Sequence, residues 1–235
     1  MTECFVDIWH GSFSGHRARL PQLRAVLSED ERGKVEGMLR EQAAMRAIVT
    51  RGLLRHTLAG YLHCDPSGLQ FAVGEYGKPE LAGRQLAFNL SHTEDSLLLA
   101  VSNLQTVGVD VETVKPRKSL REIARRCFSA REFAHWQRLP PAEQTRQFFR
   151  LWTIKEAFVK AVGRGIALGL ERCEVDIDKP DAFSAVPEEY APASAWQLSE
   201  LELGDQLAAA LVVPSACYEL RRLAFEFAMG GGKHV

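Results

Sequence analysis

The stretch LAFNLSHTEDSLLLAVSNLQTVGVDVE, residues 86–112, decides the fold class of this chain. Runs rich in β-branched and apolar residues alternate there with Asn, Asp and Gly, a pattern typical of short strands and turns. Residues 69–73 precede it with the same strand character. Because the strands are short and closely spaced, this region predicts an antiparallel sheet.

Helical sequence flanks this region on both sides. Ser28, followed by three acidic residues, predicts a helix start, and no proline interrupts the chain before Leu62. A second helical region runs from Ser119 to about Val162, with breaks near Ser129 and at LPP, residues 139–141. Strand-like sequence returns in four segments: residues 173–177, 195–203, 206–213 and 217–225. This order predicts an α+β fold with two α+β halves in tandem, residues 1–105 and 106–229.

Composition sets broad limits on function. The 235 residues are 46% apolar and 25% charged, with a formal net charge of −1. No apolar run approaches the roughly 20 residues that span a bilayer, and the acidic N-terminus does not resemble a signal peptide. Five scattered cysteines suggest neither a disulfide framework nor a zinc site. A cytoplasmic protein without a membrane or nucleic-acid partner is therefore expected.

The pentapeptide GVDVE, residues 108–112, carries two carboxylates two positions apart on a predicted strand. Alternation places Asp110 and Glu112 on one face and the two valines on the other. Neighbouring carboxylates repel unless a cation or proton neutralises them, and oxygen ligands favour magnesium or manganese over zinc. The pattern indicates a Mg²⁺ or Mn²⁺ site, and a solvent-facing acidic strand is the alternative.

The segment FFRLWTIKEAFVK, residues 148–160, has apolar residues at helical spacing and predicts a packed helix. Glu156 and Lys160 are four positions apart and so lie on the same face. One interpretation is an ordinary surface ion pair worth about 0.3–0.5 kcal/mol. The other makes Glu156 a third metal carboxylate and Lys160 a proton donor or a phosphate ligand.

Two further motifs precede GVDVE: the turn GKP, residues 77–79, and the strand end FNLSHT, residues 88–93. Lys78 is not a P-loop lysine, because no Ser or Thr follows it, and a lone turn lysine is usually solvated. Ser91 and His92 could bind a phosphate or act as nucleophile and base. The hydrolase interpretation is disfavoured, since strand neighbours face opposite sides and no Gly-x-Ser-x-Gly elbow occurs.

Residues 115–138 carry eight basic side chains against two acidic ones, a local excess of six positive charges. Arg121 and Arg125 share a helix face beside an apolar stripe that includes Phe128. Such a bias predicts an anionic partner. A solvated helix face and a nucleic-acid patch are the alternatives, although no nucleic-acid-binding module is recognisable.

Taken in order, GKP, FNLSHT, GVDVE and FFRLWTIKEAFVKAVGRG resemble the motif series of the two-domain, surfactin-type 4′-phosphopantetheinyl transferases. The motifs cover residues 76–165, with fainter similarity around Arg46 and Arg55. Each motif alone is weak, whereas four in order at fitting spacing are specific. The resemblance implies two similar α+β halves related by a pseudo-twofold, with the active site in the cleft between them.

The resemblance also implies the site residues. Asp110, Glu112 and Glu156 would hold Mg²⁺, or Mn²⁺, with the pyrophosphate of the substrate, coenzyme A. Further side chains would contact coenzyme A itself: Arg46, Lys78, Ser91, His92, Lys155 and Lys160. The first four of these are expected at the nucleotide end, and the two lysines of the helix along the pyrophosphate. Loss of Lys78, Ser91 or His92 should mainly raise KM for coenzyme A.

The implied activity is that of a holo-[acyl-carrier-protein] synthase. It moves the 4′-phosphopantetheine arm of coenzyme A to a serine of an apo acyl or peptidyl carrier protein and releases 3′,5′-ADP. Glu156 directly, or Glu112 through a bound water, would take the serine proton, and Lys160 would stabilise the leaving phosphate. The carrier would dock near Arg121, Arg125 and Phe128 on a monomeric enzyme.

Two alternatives to this activity are another magnesium-dependent phosphate-transfer enzyme and a non-catalytic paralogue that binds coenzyme A or carrier proteins. A binding-only paralogue is expected to have lost a site residue, yet Asp110, Glu112, Glu156 and Lys160 are all present. The residues leave open which carrier protein and pathway are served, whether acyl-coenzyme A is accepted, and what the first 35 residues contact.

Overall fold

The computed structural model describes residues 3–83, 85–179 and 181–225 and has the predicted α+β fold. The helices are α1 Leu20–Ala25, α2 Glu29–Glu36, α3 Glu41–Leu62, α4 Leu120–Cys127, α5 Ala130–Arg138 and α6 Pro141–Ala161. The strands are β1 Phe5–Ser12, β2 Phe71–Val73, β3 Pro79–Leu81, β4 Ala87–Thr93, β5 Ser96–Ser102, β6 Gly108–Thr113, β7 Glu174–Val175, β8 Phe183–Ala185, β9 Trp196–Glu200, β10 Leu207–Pro214 and β11 Glu219–Ala224. Among the described residues, none of the helices combines the length and apolar character needed to cross a bilayer.

The strands form sheets of order β11–β1–β5–β4, β6–β10–β9, β2–β3 and β7–β8. The pairs β4–β5, β6–β10 and β9–β10 are antiparallel. The antiparallel pairing predicted for residues 69–112 is found in β4–β5, whereas β2 and β6 belong to other sheets. By its contacts the chain divides into two compact units, Met1–Ile8 with Gln70–Arg221 and Trp9–Leu69 with Arg222–Val235. The predicted halves, residues 1–105 and 106–229, concern internal similarity, which this division does not address. They stay a prediction, and residues 226–229 lie outside the described part of the chain.

In the first unit, β6 presents its two faces to different surroundings. Val109 and Val111 belong to an apolar cluster that also contains residues of β1 and β5. Because side chains alternate along a strand, Gly108, Asp110 and Glu112 project from the opposite face. On that face β6 packs against α6. The predicted alternation of carboxylates and valines is therefore what directs the carboxylates toward the helix.

Gly108 permits a very close approach of β6 to α6. A Cβ at this position would lie 2.0 Å from the carbonyl oxygen of Ala157 and 2.4 Å from the amide nitrogen of Ala161. Both atoms are backbone, so neither can move aside without displacing the helix. Only glycine is compatible with this contact, which sets how near Asp110 comes to the helix.

The second unit is built on α2 and α3. Ser28 and Glu31 form a capping box, in which the Ser28 hydroxyl accepts from the Glu31 amide at 3.3 Å and the Glu31 carboxylate accepts from the Ser28 amide at 3.0 Å. This confirms the predicted helix start. The same carboxylate binds Arg51 at 2.8 Å and Arg55 at 2.7 Å, which joins α2 to α3.

Candidate active site

Three carboxylates and one ammonium lie where β6 faces α6, near enough for their charges to interact but not gathered around a common point. Asp110 is 4% exposed and Glu156 is 8% exposed, while Glu112 and Lys160 are half-buried. One oxygen of Asp110, Oδ1, accepts from Lys160 Nζ at 2.6 Å and from the Ser91 hydroxyl at 2.7 Å. Glu156 and Lys160 lie one helical turn apart on α6, so one helix face supplies both an acid and a cation.

Burial, and next the repulsion from Asp110, raise the pKa values of Glu156 and Glu112. Burial, and next the charge of Asp110, raise the pKa of Glu156 to about 7, against the opposing charge of Lys160. Burial and Asp110 likewise raise the pKa of Glu112, while Arg117 opposes the shift. A single ammonium therefore does not compensate the negative charge that three carboxylates would carry together.

Two buried oxygens of the cluster, Asp110 Oδ2 and Glu156 Oε1, have no hydrogen-bond partner among the described residues. Leaving buried carboxylate oxygens without a donor or cation is costly. The described residues contain no group of three metal-ligating side chains already gathered for an ion, and Lys160 supplies the positive charge beside Asp110 instead. The oxygen-only donors and the two unpaired oxygens fit a hard divalent cation such as Mg²⁺.

Ser91 and His92 are neighbours on β4, and only one of them belongs to this cluster. Ser91 is buried and bonds to both Asp110 and Lys160, whose ammonium donates to the hydroxyl at 3.0 Å. His92 is exposed and points to the other side of the strand. The contact of His92 with coenzyme A stays a prediction.

Lys78 forms hydrogen bonds at the C-terminal end of α6. Its ammonium donates to the Thr106 hydroxyl at 3.0 Å, to the Val107 carbonyl at 3.0 Å and to the Ala161 carbonyl at 3.1 Å. Burial lowers the pKa of Lys78 to about 8, although the charge of Glu80 opposes the shift. Because all three N–H donors are engaged, a contact with coenzyme A would require some of these bonds to break. That contact stays a prediction.

Lys155 is not brought to the cluster. Its side chain has no exposed surface, and its ammonium pairs at 2.7 Å with Glu132 of α5, which is equally buried. The ammonium also donates to the carbonyls of Leu170 and Cys173. The prediction that Lys155 lies along the pyrophosphate is not retained, because a phosphate cannot reach a side chain enclosed in this way.

Arg46 belongs to α3 of the second unit. Its guanidinium carbon lies 5.5 Å from the centre of the Phe13 ring, and within the described part of the chain its buried Nε has no hydrogen-bond partner. Both residues lie in the same unit, which is separate from the unit that holds the carboxylates. The contact of Arg46 with coenzyme A stays a prediction.

The basic segment forms α4 and α5, with the predicted break at Ser129. Arg121 and Arg125 are exposed on α4, as a docking surface requires. Phe128, however, is 3% exposed and packs against Phe148 at 5.5 Å between ring centres. The prediction that Phe128 contacts a partner is corrected: the apolar stripe of α4 serves the core.

Three residues that sequence reasoning did not assign to the site contribute to its geometry. Gly108 sets the distance between β6 and α6. Asn89 and Thr93 accept hydrogen bonds from backbone amides of β6 at 2.8 and 3.2 Å. The signal for the last two was present in FNLSHT, where Asn89, Ser91 and Thr93 recur at every second position and so share one face of the strand.

The raised pKa of Glu156 predicts how stability depends on pH when no divalent cation is present. Between about 4.5 and 7 the folded state holds this proton more tightly than the unfolded state does. The free energy of unfolding should therefore fall as pH rises through this window. Urea unfolding at several pH values in EDTA measures the slope. Glu156→Gln should flatten it, whereas Glu143→Gln, an exposed position of α6, should not; equal slopes in Glu156→Gln and wild type would contradict the assignment.

Comparison with known proteins agrees with the resemblance carried by the motifs. The family model of the 4′-phosphopantetheinyl transferase superfamily matches residues 106–212. The 4′-phosphopantetheinyl transferase HetI of Nostoc sp. is 35% identical over 212 residues, which are 88% of this chain and 87% of HetI. The 4′-phosphopantetheinyl transferase Sfp of Bacillus subtilis is 28% identical over 204 residues, 86% of this chain and 89% of Sfp.

A third relative is similar over a shorter range. The 4′-phosphopantetheinyl transferase AcpT of Escherichia coli is 39% identical over 131 residues, 53% of this chain and 64% of AcpT. The chain therefore belongs to the 4′-phosphopantetheinyl transferase superfamily, a family of transferases. The family match includes β6 and α6, the two elements that carry the carboxylates.

Proposed function

We propose that this enzyme transfers the 4′-phosphopantetheine arm of coenzyme A to a serine of an apo acyl or peptidyl carrier protein. The observation that carries the proposal is the meeting of Asp110, Glu112, Glu156 and Lys160 at the contact of β6 with α6. Membership of the family supports it, because the relatives named above are 4′-phosphopantetheinyl transferases. We further propose that the protein acts as a monomer in the cytoplasm.

The proposed step is a phosphoryl transfer. The serine hydroxyl oxygen of the carrier bonds to the β-phosphorus of coenzyme A, and the bond from that phosphorus to the bridging oxygen breaks. The bridging oxygen leaves with 3′,5′-ADP, and the serine proton passes to a base of the enzyme. The products are the holo carrier, 3′,5′-ADP and a protonated base.

Each side chain of the cluster has a role in this step. A divalent cation held by Asp110, Glu112 and Glu156 would neutralise the pyrophosphate. Glu156 is one candidate base for the serine proton, and Glu112 acting through a water is the second. Lys160 supplies a positive charge where the leaving phosphate gains negative charge.

Intact-mass measurement tests the proposed activity. The protein is incubated with coenzyme A, Mg²⁺ and a panel of apo carrier proteins, and each carrier should gain the mass of one phosphopantetheine arm. A carrier whose acceptor serine is replaced by alanine should gain nothing. Coenzyme A binding without a mass increase on any carrier would favour the non-catalytic paralogue and overturn the proposal.

The partner surface is proposed to include the exposed face of α4. Carrier proteins of the kind implied by the resemblance present an acidic helix beside the acceptor serine, and Arg121 and Arg125 are exposed and one turn apart. The double change Arg121→Glu with Arg125→Glu should raise KM for the carrier and leave KM for coenzyme A nearly unchanged. The effect should shrink with added salt, because the screening length falls from about 10 Å at 0.1 M to about 3 Å at 1 M.

A matched control separates this surface from net charge. Arg146→Glu with Arg222→Glu changes the charge by the same amount at exposed positions outside the basic segment 115–138. This control should affect the carrier KM much less. If both double variants behave like wild type towards an acidic carrier at low salt, α4 is not the docking surface.

A further inference from the structure

Three side chains of β4 accept hydrogen bonds from three alternate amides of β6. The amide of Val109 donates to Asn89 Oδ1 at 2.8 Å. The amide of Val111 donates to the Ser91 hydroxyl at 3.3 Å, and the amide of Thr113 donates to the Thr93 hydroxyl at 3.2 Å. Each pair is separated by 20 positions along the chain, so the three bonds form a regular ladder, here called the β4 side-chain ladder.

The ladder supplies hydrogen-bond acceptors to backbone amides at the edge of a sheet. β6 is an edge strand of the sheet β6–β10–β9, and β4 belongs to a different sheet. Alternate amides of a strand point to the same edge, so the amides of residues 109, 111 and 113 share one side. Buried amides without acceptors are costly, and the side-chain oxygens of β4 supply the acceptors that a neighbouring backbone would otherwise provide.

Two members of the ladder also bond to the carboxylates of the site, in a repeated arrangement. Ser91 accepts from the Val111 amide and donates to Asp110 Oδ1 at 2.7 Å. Thr93 accepts from the Thr113 amide and lies 3.4 Å from Glu112 Oε2. Each hydroxyl thus holds one amide of β6 together with the carboxylate of the residue just before it.

The Ser91 hydroxyl has no capacity left for a further partner. It has one proton, which it gives to Asp110, and two lone pairs, which accept from the Val111 amide and from Lys160 at 3.0 Å. A phosphate oxygen would need the single proton that Asp110 now receives. The contacts of Ser91 therefore assign it to the carboxylates, whereas the resemblance assigned it to coenzyme A.

We propose that Asn89, Ser91 and Thr93 are positioning residues that fix the edge of β6 and thereby orient Asp110 and Glu112 as cation ligands. The inference rests on the proposed function, because it concerns the same carboxylates. It predicts that loss of a ladder hydroxyl weakens cation binding, while loss of a coenzyme A ligand would weaken nucleotide binding.

Mn²⁺ binding in the presence of saturating coenzyme A, followed by electron paramagnetic resonance, tests the inference without relying on turnover. Ser91→Ala should raise the Kd for Mn²⁺ by about 10- to 100-fold, the usual cost of losing a partner of a metal ligand. The Mg²⁺ concentration for half-maximal transfer should rise in parallel. KM for coenzyme A at saturating Mg²⁺ should change by less than about twofold.

Ser102→Ala is the matched control. Ser102 is a buried serine of β5 whose hydroxyl donates to the Phe5 carbonyl at 2.6 Å and accepts from the Leu104 amide at 3.0 Å. The same atom is removed at similar burial, so any general effect of losing a buried hydroxyl appears in this variant. Its Kd for Mn²⁺ should equal that of wild type.

Variants of Thr93 provide a second test in case Ser91→Ala does not fold. Thr93→Val preserves the shape and removes the hydroxyl, and it should also raise the Kd for Mn²⁺, whereas Thr93→Ser should restore it. An unchanged Kd for Mn²⁺ in folded Ser91→Ala or Thr93→Val would overturn the proposal that these residues orient the carboxylates. A raised KM for coenzyme A with no change in the Kd for Mn²⁺ would overturn it as well. Failure of the wild type itself to bind Mn²⁺ or transfer the arm would instead count against the proposed function.

Discussion

Replacing Asp110 or Glu156 by alanine is expected to lower the turnover number at least about 10²-fold, the scale typical of losing one electrostatic stabiliser. Both carboxylates are buried, and each has an oxygen that lacks a hydrogen-bond partner in the part of the chain that the structure describes. These oxygens are therefore available to a cation without first breaking a bond. Removing Asp110 also removes one of the charges that raise the pKa values of Glu156 and Glu112.

Single-turnover transfer, read by intact mass at saturating coenzyme A and Mg²⁺, measures this loss. Asp110→Asn and Glu156→Gln repeat the test with side chains of the same size, so that a packing defect is separated from the loss of charge. Glu143→Ala, at an exposed position of the same helix, should keep the wild-type rate. Near wild-type rates for Asp110→Ala and Glu156→Ala would show that the proposed cation site is misassigned.

Local sequence signals predicted the elements that depend on local chemistry. The strands of residues 86–112 and the breaks between α4, α5 and α6 lie where alternation, Ser129 and the two prolines indicated. Ser129 closes a capping box with Glu132, and the Ser28 box does the same for α2. Caps involve residues three positions apart, so the sequence contains the whole interaction.

Three strands, β1, β3 and β8, were not predicted, because little in their own sequence specifies them. β1, Phe5–Ser12, lies between β11 and β5, whose sequences are far along the chain. β3, Pro79–Leu81, has three residues and begins with proline. Pairing with distant strands, rather than local alternation, stabilises such segments, and local patterns carry no information on it.

In the candidate site, too, local patterns predicted some features, and contacts between distant parts of the chain determine the others. The two carboxylates of GVDVE were separable from the valines by strand alternation alone. Lys155 and Lys160 could not be ranked in this way, because α6 is buried on several sides and both lysines fit a helix facing a polar site. Their ion-pair partners determine which lysine belongs to the candidate site. Lys160 pairs with Asp110 of β6, whereas Lys155 pairs with Glu132 of α5.

The Lys155–Glu132 pair leads to the largest expected effect on stability. Both side chains have no exposed surface, and their charged atoms lie 2.7 Å apart. The remaining oxygen of Glu132 accepts from the Val175 amide at 2.9 Å. Lys155→Met would leave this carboxylate buried without its cation, so the free energy of unfolding should fall by about 3–5 kcal/mol.

Urea unfolding of single and double variants measures the pair. Lys155→Met combined with Glu132→Gln should cost less than the sum of the two single changes, because neither charge is then left alone. Arg131→Ala is the control: Arg131 pairs with Asp178 at the same 2.7 Å, but the side chains are 49% and 78% exposed. Its loss should cost less than about 1 kcal/mol. Lys155→Met could instead leave a folded protein of wild-type stability with weakened coenzyme A binding. That result would support the original prediction that Lys155 contacts the pyrophosphate, because loss of a buried, paired lysine should lower the free energy of unfolding.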